Sequence, residues 1–231
     1  MAVTYALDSS VAVITIDDGK ANAYSHEVLA GLRDALDRAE REAKAVLLVG
    51  REGRFSAGFD LAVMTAGPEP MRALVVDGAR TLARLFTFPL PVIAACTGHA
   101  LAAGALVLLT ADHRIAADGP YKIGLNEVAI GMPLPRFAVE LARYRMPPSQ
   151  LDFALLGQVF DPAGAAAAGY VDRVVDPADL LAEAAGTAQR YAQLRSGAVA
   201  RTKQAARGAI AQEILDTVEA DMASMSAPSP G

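Results

Sequence analysis

The chain has 231 residues, of which 53% are hydrophobic and 20% charged, and its formal net charge is −5. This composition excludes a mainly disordered chain, and the length suits one large α/β domain. The acidic balance argues against a surface for nucleic acid or anionic membrane, although a few local Lys and Arg side chains are enough to bind a small polyanion.

Cysteine content and the N-terminal sequence indicate the compartment. Cys96 is the only cysteine, so an intrachain disulfide is impossible, and its apolar setting VIAAC predicts a buried thiol rather than a nucleophile. The start MAVTYALDSS has no basic or apolar part of a signal peptide, and no apolar stretch reaches the ~20 residues of a membrane span. We therefore expect a cytoplasmic protein.

Strands and helices alternate along the chain. Hydrophobic spacing predicts strands over 3–7 and 11–16, a helix capped by Ser25 and running to about 43, a buried strand over 45–49, a helix over 70–86, a buried strand over 92–96 and a helix over 103–110. It then predicts helices over 135–145, 149–156 and 162–168, a strand over 171–174, helices over 177–194 and 197–222, and a frayed tail, SAPSPG.

Two segments repeat one plan of buried strand, glycine-containing loop and helix start. They are AVLLVGREGRFSAGFDL (45–61) and PVIAACTGHALAAGALVLL (91–109). The first N–H groups of a helix lack intrahelical partners and carry partial positive charge, so two such loops side by side can present two amides to one oxyanion. Many α/β proteins repeat this plan for structural reasons alone, so periodicity leaves both interpretations open.

Four motifs in register give the chain a family resemblance. They are DGKANA (18–23), FSAGFDL (55–61), GHALAAGA (98–105) and KIGLNEVAIG (122–131). Together they resemble the crotonase, or enoyl-CoA hydratase/isomerase, superfamily over nearly the whole chain. The resemblance implies an enzyme that binds an acyl-CoA thioester and stabilises its enolate.

The resemblance also implies roles for individual residues. The backbone N–H groups of Phe59 and Ala103 would form the oxyanion hole, and Glu127 would be the acid/base. The substrate would lie against residues of the N-terminal loop and of both oxyanion loops, namely Lys20, Ala21, Ala23, Ala57, Gly58, Asp60, Leu61, Gly104 and Leu106. Asp60 would also cap the following helix. Lys20 is the best candidate to meet the CoA phosphates, and Lys203 on the last helix is a second candidate, reaching a neighbour's site.

Two departures from the family pattern bear on the reaction. Ala102 and Ala103 stand where glycine is usual, so the backbone there must accept a Cβ. Leu106 stands where the family's hydratases have a second glutamate, and it is expected to line the pocket of Glu127 from the opposite helix. A double-bond shift from β,γ to α,β needs a single carboxylate, so isomerase ranks first, hydratase second, and a non-catalytic acyl-CoA-binding protein is the alternative of another class. No cofactor beyond the CoA of the substrate is implied.

Other site types fit the sequence less well. His26, His99 and His113 lack metal-ligand spacing, and only His99, in the second loop, is a candidate to line a pocket. Ser56 precedes the glycine of its loop and does not mark a serine hydrolase, and no Gly-Lys-Ser/Thr follows Gly104 as a P-loop requires.

The family resemblance implies a crotonase α/β fold of stacked ββα repeats with two nearly perpendicular sheets. We expect residues 1–170 to form the repeat core and residues 171–231 to form a C-terminal helical trimerisation region of the same domain. The assembly implied is a homotrimer or a hexamer. Glu127, which is flanked by the apolar Val128 and Ile130, is expected in a pocket apolar enough to raise its pKa toward the operating pH.

Overall fold

The computed structural model describes residues 2–224, which form helices and three sheets. The strands are β1 (Val3–Asp8), β2 (Val11–Ile16), β3 (Ala23–Tyr24), β4 (Ala45–Val49), β5 (Gly53–Ser56), β6 (Gly58–Phe59), β7 (Val92–Cys96), β8 (Gly98–Leu101), β9 (His113–Ala117), β10 (Ile123–Gly124) and β11 (Arg173–Val175). The helices are α1 (His26–Glu42), α2 (Leu61–Met64), α3 (Pro68–Phe86), α4 (Ala103–Thr110), α5 (Arg136–Arg145), α6 (Pro148–Leu155), α7 (Pro162–Ala168), α8 (Leu180–Tyr191) and α9 (Ser196–Ser224), and a 3-10 turn spans Val128–Ile130.

The largest sheet has six strands in the order β1-β2-β4-β7-β9-β11, and all its pairs are parallel except β1 with β2. Both faces of β4 are buried, as its continuous apolar run predicts. Val46 and Leu48 join the main core, which also takes in side chains of α1, α3, α4, α5 and α9. Leu47 joins a second core, which Leu180 and Ala184 of α8 close on the opposite face.

Stacked ββα repeats build the site. The chain leaves the large sheet at the end of β4, β7 and β9, adds β5, β8 and β10 to a three-stranded parallel sheet, and then enters helices. Each repeat therefore turns at the same edge and starts its helix beside its neighbour's. The predicted repeat fold is confirmed, whereas the angle between the two sheets stays a prediction.

Most predicted elements lie within a few residues of their bounds. Ser25 caps α1 as predicted, since its Oγ accepts from Val28 N at 3.2 Å. The short strands β5, β8 and β9 were missed: β5 and β8 lie in segments predicted as loops, and β9 begins with the polar pair His113 and Arg114. Arg114 is only 4% exposed and pairs with Asp172 at 2.6 Å. The strand can therefore bury this charged side chain, but its partner lies 58 residues away in the chain and could not be identified from the sequence.

The C-terminal helices pack on the core of their own chain, α8 on the large sheet and α9 mainly along α3. Trimerisation through residues 171–231 stays a prediction, and the predicted frayed tail lies outside the described residues. Within residues 2–224, no helix is long and apolar enough to cross a membrane.

A buried charge cluster holds α9 in place. Asp112 accepts from Lys203 Nζ and from Arg207 Nη1, each at 2.7 Å, and Lys203 also donates to Leu90 O at 3.1 Å. Burial lowers the pKa of Lys203 to about 8, although the Asp112 carboxylate opposes the shift. The prediction that Lys203 reaches a neighbour's site is therefore wrong, because its ammonium group is bonded to Leu90 O and Asp112 of its own chain.

Candidate functional site

The two loops predicted to carry the backbone donors touch each other. Gly58 has φ +99°, and a Cβ built on it would lie 2.8 Å from Ala102 Cβ and 3.4 Å from Ala103 N. A side chain at Gly58 would thus collide with the second loop as well as strain the backbone. The contact brings the loop that carries Phe59 N against the helix start that carries Ala103 N.

The backbone around Phe59 fixes the direction of its N–H group. Tyr24 pairs with Phe59 in the parallel two-stranded sheet, and Asp60 N donates to Tyr24 O at 3.1 Å. Successive N–H groups of an extended chain point to opposite sides, so Phe59 N–H is directed away from β3. Asp60 caps α2 as expected, its Oδ1 accepting from Ala62 N at 2.8 Å.

Ala103 is the first residue of α4, where backbone N–H groups have no intrahelical acceptor. The residue before it, Ala102, has φ 50° and ψ −122°, a conformation that side chains with a Cβ rarely adopt and that costs on the order of 1–3 kcal/mol. A hydrogen bond of 3.0 Å from Ala102 N to Gly124 O holds it. The expectation that this backbone must accept a Cβ is confirmed at Ala102.

A buried hydrogen-bond network that the sequence did not reveal supports both loops. Ser56 Oγ donates to Asn22 O at 2.6 Å and accepts from Gly58 N at 3.1 Å. Asn22 is fully buried and donates through Nδ2 to Ile16 O at 2.6 Å. Gly104 lies directly on Ser56, since a Cβ there would come within 2.6 Å of Ser56 O. The sequence feature that could have indicated this network is Asn22, because Asn tolerates the left-handed φ of 55° that the backbone has there.

The N-terminal loop borders an open cavity of about 430 Å³. Lys20, Ala23 and Asp60 line it together, so the structure unites three predicted substrate contacts. Ala21 and Ala57 lie close by, joined by a hydrogen bond of 3.0 Å from Ala57 N to Ala21 O. Leu61, at the start of α2, is 70% exposed.

Carboxylates dominate the lining of the same cavity, which includes Asp17, Asp18 and Glu27 beside Lys20. The side chain of Asp18 organises the loop, accepting from Lys20 N at 2.7 Å and from Ala23 N at 3.0 Å. Burial opposes ionisation of Asp18, but these backbone donors outweigh it and lower its pKa. Lys20 is exposed and contributes a positively charged side chain to the lining of this cavity.

Glu127 lies just after β10, at the start of the 3-10 turn. Its Oε2 is shielded from solvent and has no hydrogen-bond partner, and burial raises its pKa to about 7 although backbone N–H groups oppose the shift. The neighbouring Asn126 Oδ1 is likewise buried and unpartnered. Unpaired buried polar atoms are rare, and a carboxyl that titrates near neutrality is suited to proton transfer.

The shielding of Glu127 does not come from its apolar sequence neighbours. Val128 is 39% exposed and Ile130 is 60% exposed, so these flanking side chains are turned toward solvent. The 3-10 turn directs them outward. Tyr170 lies on the inner side: burial, together with the Glu127 charge, raises the pKa of Tyr170, whose hydroxyl accepts from Leu125 N at 3.2 Å.

Leu106 is 1% exposed on α4, three residues beyond Ala103. Its position opposite Glu127 stays a prediction. His99 has a structural contact, since its Nδ1 accepts from Lys122 N at 3.0 Å and its ring meets Tyr121 edge-on. Cys96 is buried and its pKa is raised to about 12 by burial, as expected of a core thiol. Across residues 2–224, no group of three or more His, Cys, Asp and Glu is placed to hold a metal ion.

Comparison with known proteins gives consistent matches over most of the chain. The family model described as enoyl-CoA hydratase/isomerase matches residues 6–228. A putative enoyl-CoA hydratase of Thermus thermophilus is 33% identical over 201 residues, covering 84% of this chain and 79% of that protein. The human mitochondrial enoyl-CoA delta isomerase 1 is 31% identical over 220 residues, covering 93% and 73%. The crystal structure of an enoyl-CoA hydratase/isomerase family protein from Pseudomonas syringae has a TM-score of 0.94 at 39% identity, covering 97% of this chain and 98% of that one.

Proposed function

The chain belongs to the enoyl-CoA hydratase/isomerase family of the crotonase superfamily, and from that premise we propose that it moves the double bond of an enoyl-CoA from the β,γ to the α,β position. The observation that carries this choice is the carboxyl of Glu127, with a shielded, unpartnered oxygen and a pKa of about 7, combined with buried Leu106 at the position of a hydratase's second glutamate.

In the proposed mechanism the thioester oxygen lies between the N–H groups of Phe59 and Ala103. These donors stabilise the negative charge that develops on the oxygen as the α-proton leaves, and one such donor is typically worth ~3–4 kcal/mol. Glu127 takes the α-proton, and the electrons of that C–H bond form the enolate. The protonated carboxyl then returns the proton to the γ-carbon, which leaves the double bond between the α- and β-carbons.

This route needs no metal or separate cofactor, because the thioester itself makes the α-proton acidic. It does need a carboxyl that holds and releases one proton without exchanging it with water, and the shielding of Glu127 Oε2 supports that role.

Hydration of an α,β-enoyl-CoA is the second candidate, favoured by relatives named as hydratases, such as the Thermus thermophilus protein. Water addition requires a group that positions and activates the water as well as one that delivers a proton. The apolar Leu106 weakens this alternative. A non-catalytic acyl-CoA-binding protein is the third, and the retained Glu127 speaks against it.

One assay distinguishes the three functions. The purified protein is incubated separately with trans-3-hexenoyl-CoA and trans-2-hexenoyl-CoA, and the products are separated chromatographically. We expect conversion of the 3-enoyl to the 2-enoyl thioester with little 3-hydroxyacyl-CoA. Dominant 3-hydroxyacyl-CoA would make the protein a hydratase, and binding of acyl-CoA without any product would make it a binding protein.

Leu106→Glu tests the choice between the two reactions. The new carboxylate is expected to raise hydration of trans-2-hexenoyl-CoA at least ~10-fold, since a positioned acid/base contributes 10²–10⁴-fold when its geometry is ideal. Some stability should be lost, because α4 buries position 106. Leu106→Gln is the matched control, with similar size and burial but no ionisable group. Equal hydration by both variants would place Leu106 outside the reacting pocket.

We further propose that Lys20 meets the CoA phosphates, supported by its exposure beside the cavity of the N-terminal loop. Lys20→Glu should weaken CoA binding at least ~10-fold in calorimetry at low salt, since it replaces an attraction by a repulsion among carboxylates. Lys44→Glu, at an exposed position outside that cavity, should leave affinity unchanged. Equal affinities in the two variants would remove Lys20 from the site.

A homotrimer or hexamer is the proposed assembly. An apolar surface patch supports it, formed by Val128 and Ile130 of the 3-10 turn with Phe153 of α6 (54% exposed) and Leu156, which follows the last residue of α6 (74% exposed). The two segments abut, because a Cβ on Gly157 would lie 3.7 Å from Val128 Cβ. Exposed apolar patches of this kind often mark protein–protein contacts. Sedimentation velocity tests the proposal, and a monodisperse monomer would contradict it.

A further inference from the structure

Phe59, whose backbone N–H is one of the two proposed oxyanion donors, also has a tightly packed side chain. The side chain of Phe59 lies against α3 at Gly78, where a built Cβ would be 2.3 Å from ring atom Cε1 and 2.4 Å from Cζ. Glycine in a helix interior is unfavourable relative to alanine. The ring explains this glycine, because any side chain at position 78 would displace it.

The same ring is one wall of a small apolar cavity between three helices. Leu29 and Leu32 of α1, Leu82 of α3, and Ala103 and Val107 of α4 form other parts of its lining. With the ring in place the volume is about 10 Å³, scarcely room for one water molecule. The Phe59 ring is thus one of the groups that leave almost no free volume between these helices.

This cavity adjoins the reacting centre, since Phe59 and Ala103 both line it and both carry the proposed donors. An acyl chain that runs from the thioester carbonyl toward the interior meets the phenyl ring first. Behind the ring, the apolar side chains of α1, α3 and α4 would suit further methylene groups.

We propose that the Phe59 ring, held in the notch at Gly78, limits the length of the acyl chain by closing the space between α1, α3 and α4. The proposal rests on the proposed function and deepens it: the unmodified protein prefers short-chain enoyl-CoA thioesters. Phe59 then has two separate roles, its backbone amide on the carbonyl oxygen and its side chain on specificity.

Removing the ring should convert a filled space into an apolar pocket. Such pockets stay dry and bind apolar groups. Each methylene that becomes buried is expected to raise kcat/KM about 4-fold. Three to four additional methylenes, partly buried, should therefore change the preference by at least ~10-fold.

The test compares the ratio of kcat/KM for trans-3-decenoyl-CoA to that for trans-3-hexenoyl-CoA. A ratio cancels any general loss of activity, which matters because Phe59 belongs to the proposed oxyanion site. Phe59→Ala should raise the ratio at least ~10-fold, and Phe59→Leu should lie between it and the unmodified protein. Phe59→Leu keeps more of the packing, so the test stands even if Phe59→Ala folds poorly.

Phe88→Ala is the matched control. Phe88 is 1% exposed and lies outside the lining of this cavity, so its truncation should lower stability without changing the ratio. An unchanged ratio in both Phe59 variants, with the unmodified protein active on the hexenoyl thioester, would overturn the chain-length proposal alone. Inactivity of the unmodified protein on every 3-enoyl-CoA would instead overturn the proposed function, and this proposal with it.

Discussion

Glu127→Gln is expected to reduce isomerisation of a 3-enoyl-CoA at least ~10²-fold while acyl-CoA still binds. Glutamine keeps the size of the side chain but neither accepts nor returns a proton, and general acid–base catalysis is worth 10²–10⁴-fold. The measurement is kcat/KM from the formation of the 2-enoyl product, with affinity for an acyl-CoA determined separately. Glu69→Gln, on a side chain that is 82% exposed, is the control and should retain full activity.

The pH dependence of kcat/KM for the unmodified protein should also reflect the role of Glu127 as the base. The pKa of Glu127 is about 7, and the proposed base is the ionised form, so kcat/KM should rise with pH and level off above about pH 7. An ordinary exposed glutamate, with a pKa near ~4.3, would give a profile already flat at pH 6.

The stability of the folded protein should fall as pH rises, whereas kcat/KM should rise. The folded state keeps the Glu127 proton up to about pH 7, whereas the unfolded chain releases it near the ordinary value of 4.5, so this group costs stability as pH rises between those values. At pH 8 the cost is on the order of 3 kcal/mol. Glu127→Gln should therefore be more stable than the unmodified protein at pH 8 and equally stable at pH 4.

Full isomerase activity in Glu127→Gln would refute the mechanism.

The sequence predicted the parts of this site that depend on local backbone geometry. Gly58 must be glycine because its φ is +99°, and the motif FSAGFDL already has a glycine at that position. The family resemblance implied Asp60 as a helix cap, and hydrophobic spacing placed a helix start at Ala103. The repeat of buried strand, loop and helix then places the two loops at one edge of the fold.

Partners that lie far apart in the chain could not be predicted. Ser56 and Asn22 are 34 residues apart, and Lys203 and Asp112 are 91 apart, so only the folded structure brings each pair together. Lys203 was predicted to reach a neighbour's site, although its ammonium group is buried against Asp112. Val128 and Ile130 are apolar neighbours of Glu127 in the chain, but a turn of three residues directs their side chains outward.

Two locally unfavourable features coincide at the site. Ala102 holds a strained backbone at the start of α4, and Glu127 buries an oxygen without a partner. Natural sequences tolerate such features where function requires them and compensate elsewhere. Here the compensation includes the Ser56–Asn22 network under the loops and the satisfied charge cluster that fixes α9.

Asp112→Ala is expected to produce the largest loss of stability among single substitutions in that cluster, ~3–5 kcal/mol. It leaves the buried cations of Lys203 and Arg207 without their carboxylate, and it also removes the acceptor of Val92 N, 2.7 Å away. Denaturant unfolding followed by circular dichroism measures the change.

Glu219→Ala is the matched control. Glu219 also joins α9 to α3, through an ion pair with Arg80 at 2.5 Å, but both side chains are exposed. That pair should be worth less than ~1 kcal/mol. Equal losses in the two variants would show that Asp112 contributes no more to stability than a surface ion pair, and that other contacts of α9, chiefly those with α3, hold it in place.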